Sequence, residues 1–395
     1  MKRLAALVVA LLAAPGWAQE ADAPPPKRYP PPPIDSILLA KRVGSGFRPA
    51  LPEGFKLLDF EAPEVLATIE ARELVYAETD YFRLVSTVPP QKVAPETWPR
   101  IRETLQMLAP RYPQLKRGFP VLQGELLAHF FAVHMHRAMV DAWKTFGSDM
   151  GTYEQYLRDY KHGPYMRQKN KFEIYLFGNR EAYLRFSDRF TGRLYRDGVR
   201  HRAPVTDVLV VLLPPPPGGA RDLNGWVATV IHNWIHNVLM SEIKNSYVIP
   251  IWLDVGFAHW FERREGPHDC FCFDESGAPP RFASGDWLPR IHNLITTAKV
   301  PEFADFFDKT TLAQFDGVEH AISYSLVDYL IRERVAGLKP FCDIRREKPG
   351  TQREHFQEAW DESPSLFFEK WRAWAREHYT KKGRLALKDP PAVLR

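Results

Sequence analysis

The first candidates for chemistry in this chain are His232 and His236, four residues apart in 231-IHNWIHNVLM-240. On a helix they lie one turn apart on the same face, the arrangement in which two imidazoles can share a metal ion. The spacing alone is weak evidence, because 13 histidines in 395 residues give about 0.4 such pairs by chance. A second stretch shortly after, 250-PIWLDVGFAHWFERRE-265, carries His259 and Glu262 on what reads as another helix.

The elements around these residues follow from pattern. Residues 206-TDVLVVLL-213 are a short continuous apolar run of the buried-strand type. They end in 214-PPPPGGARDLNG-225, a loop that no sheet could absorb. The histidine helix is apolar through Trp226, Val230, Ile231, Trp234, Ile235 and Leu239. Upstream, the alternation in 81-YFRLVSTVP-89 predicts a strand, as does 171-KFEIYLFG-178, with helices over 95–112 and 180–190. A long, largely buried helix is expected over 124–147, closing on Gly147. From residue 225 to 379 the chain reads as helical, so strands and helices come first and a helical half second. That order gives an α+β fold. The long helix carries His129, His134 and His136, at spacings of five and two that no single helical face gathers. They are expected to be partly buried, with local hydrogen bonds.

Composition narrows the class. The chain is 45% hydrophobic and 26% charged, which is globular. Its net charge of +5 is spread among interspersed signs, so no basic stripe argues for nucleic acid. Lys2 and Arg3, the apolar run from Leu4 to Ala14, and a small-residue site at Ala18 read as an export leader. The run is too short to span a bilayer, so no membrane span is expected once the leader is removed. The Pro-rich 23-APPPKRYPPPP-33 reads as an extended spacer. Three cysteines, Cys270, Cys272 and Cys342, are too few for a disulfide scaffold. A Cys-x-Cys pair is strained if bridged to itself, so at most one of the first two pairs with Cys342.

The two central stretches together resemble the gluzincin metallopeptidases. His232-Asn233-Trp234-Ile235-His236 stands where that family has His-Glu-x-x-His. Trp252-Leu253-Asp254-Val255-Gly256-Phe257-Ala258 stands where it has Trp-Leu-x-Glu-Gly-Phe-Ala, at the family's spacing and preceded by Pro250. The similarity looks closest to bacterial exported peptidase MA-like proteins. It extends more weakly through residues 171–186, 320–331 and 356–374. The resemblance implies a zincin-like fold, with zinc as the metal a retained site would take.

Departures from the family pattern change what the resemblance implies. Asn233 occupies the general-base position and cannot accept a proton from a metal-bound water. Val255 occupies the position of the third ligand and offers no lone pair. His259 stands where the family often has a carboxylate that orients a ligand histidine, and His320 where a Tyr is expected. His259 shares a helical face with Val255, so His232, His236 and His259 form the candidate metal set. Glu262 is the one substitute base on that helix.

The expected organisation is a leader over 1–18, a Pro-rich linker over 19–50 and an α/β part over 51–205. A zincin-like part over 206–335 and a helical extension over 336–395 follow. The expected function is that of an exported, periplasmic or secreted pseudopeptidase. It would bind a peptide, a protein or a cell-envelope component, with no cofactor required. The alternatives are a metal-dependent hydrolase using the three histidines and a structural envelope protein.

Overall fold

The computed structural model describes residues 38–44 and 62–384, apart from intervals of which 266–286 is the longest. The leader, the Pro-rich spacer, Cys270 and Cys272 lie outside the described residues. Cys342 is free and fully buried.

The architecture is α+β, with a mixed sheet and helices in the first half and helices dominating the second. The main sheet contains β1 (Leu38–Gly44), β2 (Glu73–Glu78), β3 (Phe82–Ser86), β6 (Phe172–Leu176), β7 (Val199–Ala203) and β8 (Val208–Leu213). Two short strands, β4 (Gln91–Lys92) and β5 (Val121–Leu122), pair separately. The sheet order is β1-β2-β3-β6-β8-β7, with β3, β6 and β8 parallel and the outer pairings antiparallel. Strand β1 forms inside the stretch expected to be linker, so ordered structure begins ahead of residue 51.

Strand β8 explains its own sequence. Leu209, Val211 and Leu213 face the larger core, with Trp226 and Trp234. Val208, Val210 and Leu212 face a smaller core with Tyr183 and Phe186. A strand buried on both faces reads as an unbroken apolar run rather than an alternating one.

Among the described residues the helices include α1 (Ala62–Ile69), α2 (Trp98–Leu108), α3 (Gly124–Thr145), α4 (Arg180–Thr191), α5 (Leu223–Ile243) and α6 (Ile251–Glu265). After them come α7 (Trp287–Thr296), α8 (Phe303–Phe307), α9 (Gly317–Glu333), α10 (Leu338–Glu347), α11 (Gln352–Trp360) and α12 (Pro364–His378). Helix α12 begins at Ser363-Pro364, where the Ser363 hydroxyl accepts the Leu366 N–H at 3.2 Å. Trp234 on α5 donates its Nε1–H to the Met135 carbonyl of α3 at 3.0 Å and packs edge-on against Phe82 and Phe172. The histidine helix is thereby clamped between α3 and the sheet.

Helix α6 packs between α5 and α9, and its approach to α9 depends on Gly256. A Cβ at that position would stand 2.3 Å from the Ser323 carbonyl oxygen and 2.7 Å from Val327 Cγ2. Gly256→Ala is therefore expected to force the helices apart and to lower stability by about 1–3 kcal/mol. Urea unfolding checks this, and an unchanged midpoint would show that the two helices have room to spare.

Candidate functional site

Every residue of α5 from Gly225 to Ile243 is buried, which favours partners inside the protein for its polar side chains. His232 and His236 turn toward α6. His236 Nδ1 lies 2.7 Å from Asp254 Oδ1, and His232 Nδ1 lies 3.0 Å from Glu262 Oε2. The two Nε2 atoms are 3.1 Å apart. His259 Nδ1 lies 2.8 Å from the same Glu262 oxygen, and its Nε2 lies 3.0 Å from His320 Nδ1 on α9. Six titratable groups thus form one unbroken chain running His320, His259, Glu262, His232, His236, Asp254. Asp254 is 8% exposed and the other five are between 0% and 2%.

The candidate metal histidines are brought together, though not around one point. His236 meets the Nε2 edge of the His232 ring, whereas Glu262 meets its Nδ1 edge. Among the described residues, the set whose ligand atoms all lie within 4.8 Å of one another is His232, His259 and Glu262. These three could hold a metal ion. His236 stands on the far side of the shared imidazole. Glu262, the candidate substitute base, is fully buried and faces two imidazoles.

Burial sets the protonation of the cluster. It holds the imidazoles of His232, His236 and His259 well below 6.5. Repulsion within the cluster adds to this, as does the Arg200 guanidinium for His232 and His236. Burial also pushes His320 down to about 4. The same desolvation pushes the Asp254 carboxyl up to about 7, against the opposing pull of Arg200.

Asn233 points away from this chain. Its Nδ2 donates to the Thr229 carbonyl at 2.9 Å, and its Oδ1 lies 3.4 Å from Arg200 Nη1 on β7. Gly198, just before β7, lies against the same carboxamide: a Cβ there would stand 3.4 Å from Asn233 Nδ2. Val255 is 1% exposed and belongs to the apolar core.

Two histidines of α3 find separate partners. His129 Nδ1 pairs with the Tyr112 hydroxyl at 2.5 Å, and His134 Nε2 with the Thr104 hydroxyl at 3.2 Å. Sequence reasoning missed the roles of Asp254, Arg200 and His320. The i,i+3 spacing of His259 and Glu262 was the one available signal for the carboxylate at the centre. Among the described residues, no helix is long and apolar enough to cross a membrane. Comparison of the chain with protein-family models, with curated proteins and with solved structures returns no match.

Proposed function

We propose that this chain is an exported, non-catalytic protein on a zincin-like frame, which binds a peptide, a protein or an envelope component rather than cleaving it. The observation that carries this reading is the tethering of Asn233. Hydrolysis by a metal-bound water needs a base that takes its proton, and loss of such a base costs about 100- to 10,000-fold. The Asn233 carboxamide has no such capacity and is held between a backbone carbonyl and Arg200. Val255, in the third-ligand position of the resemblance, adds an apolar wall where the family places a carboxylate. Glu262 does not replace the missing base, because it is sealed beneath two imidazoles at 0% exposure.

The mature chain is therefore expected to cleave a fluorogenic peptide library at the same background rate with zinc and with chelator. Chelator-sensitive cleavage that disappears in His236→Ala would sink this reading in favour of a metal-dependent hydrolase.

A further inference from the structure

The histidine cluster between α5, α6 and α9 is buried, so a ligand that is bound rather than cleaved meets the chain elsewhere. Where the short β4–β5 pair leads into the start of α3, the surface opens into a cavity of about 360 Å³. Its walls are Tyr112, Gln114, Val121, Gln123, Glu125 and Leu126. Small-molecule sites have volumes of about 300–1,000 Å³ and combine apolar walls with a few polar groups.

The walls are mixed in that way. Val121 is 44% exposed, one of three large apolar side chains left so open among the described residues. Leu126 adds a second apolar side chain. The carboxamides of Gln114 and Gln123 and the carboxylate of Glu125 make no side-chain hydrogen bond or ion pair among the described residues. Donors and acceptors are therefore both on offer to a ligand. Gln123 is also the N-cap of α3, yet its side chain caps no amide, so the first-turn N–H groups of that helix are further donors. The Tyr112 hydroxyl lies 2.5 Å from Nδ1 of the buried His129, which fixes the position of the ring.

Charge and shape select the ligand. The walls hold one carboxylate and no Lys, Arg or His, so a phosphate or sulfate group meets repulsion. A cation fares little better, because the positive end of the α3 dipole lies at the same rim. An extended peptide finds no edge of useful length, since β5 is two residues long. What fits is a neutral group whose hydroxyls each donate and accept, with an apolar C–H face for Tyr112 and Val121.

We propose that this cavity binds a sugar ring of an envelope glycan. One ring face lies on Tyr112 and Val121, and Gln114, Gln123 and Glu125 take its hydroxyl and acetamido groups. An acetamido group matches a carboxamide on both sides, because its C=O accepts from the NH₂ and its N–H donates to the C=O. The inference rests on the non-catalytic reading for its choice of an envelope component as the ligand.

Saturation-transfer NMR on the full mature chain tests this, with the tetramer of N-acetylglucosamine as probe. The expected result is transfer to the ring C–H and acetyl methyl protons of the sugar. Gln123→Ala and Glu125→Gln change exposed side chains and should each weaken binding by about 3- to 10-fold, the worth of one hydrogen bond. Tyr112→Ala should abolish binding, whereas Tyr112→Phe, which keeps the ring and drops only the bond to His129, should stay within about 3-fold of the wild type.

Absence of transfer overturns the proposal, as does transfer that Gln123→Ala, Glu125→Gln and Tyr112→Ala all leave unchanged. An Ala-Ser peptide that displaces the sugar from these residues overturns it in favour of a peptide site. Zinc-dependent peptide cleavage with sugar binding intact would overturn the non-catalytic reading and leave this site standing.

Discussion

Acidification from pH 7.5 to 5.5 is expected to lower the stability of the metal-stripped protein by about 3–4 kcal/mol. In the unfolded chain each histidine takes up a proton near pH 6.5. In the folded protein His232, His236, His259 and His320 stay neutral far below that value, because burial opposes their charging. Below pH 6.5 the unfolded state therefore binds more protons, and folding weakens as pH falls. Each such histidine contributes a loss of about 1.4 kcal/mol per pH unit there, or about 5 kcal/mol for four.

Asp254 works in the opposite direction. Its folded value is raised to about 7, so it holds a proton in the folded state that the unfolded state has released. That stabilises the fold by about 2 kcal/mol across the same window. Urea unfolding at a series of pH values in chelator gives the curve. A stability that is flat or rising between pH 7.5 and 5.5 would mean that the imidazoles are charged inside the protein.

The second large effect belongs to Asp328, a fully buried carboxylate on α9. Its Oδ1 accepts from Trp260 Nε1 on α6 and from Arg332 Nε, each at 3.0 Å, and its Oδ2 accepts from the Tyr379 hydroxyl at 3.1 Å. The Trp371 indole and the Ser325 hydroxyl extend the network toward α12. Removing the carboxylate leaves Arg332, whose side chain is 13% exposed, without this counter-charge. It also strips three donors of their acceptor.

Asp328→Ala is thus expected to cost about 3–5 kcal/mol. The exposed Arg264–Asp141 pair at 2.8 Å provides a control, since Asp141→Ala should cost less than about 1 kcal/mol. Equal effects in the two variants would show that the Asp328 network does not hold the C-terminal helices to α6.

Much of the frame was legible from residue order. The apolar run at 208–213, the helix start at Ser363, and the placement of His232 and His236 on one helical face all follow from local periodicity and local hydrogen bonding. Strands β1, β2 and β7 were not foreseen, because a strand at or near a sheet edge depends on its neighbour more than on its own pattern.

By itself, the sequence determined that Asn233 cannot act as a base, that Val255 cannot ligate, and that His259 lies on the same helix face as Val255. These are properties of side-chain type and helical angle. Only the tertiary structure decided that Glu262 is buried, that Asp254 reaches His236, and that His320 arrives from 61 residues away to meet His259. Which edge of the His232 ring faces which partner was also decided there. Helical periodicity assigns a face to a residue on its own helix, but an imidazole has two nitrogens on different edges. Their partners are chosen by how α5, α6 and α9 pack, and that packing turns on contacts such as the bare backbone of Gly256 against Ser323.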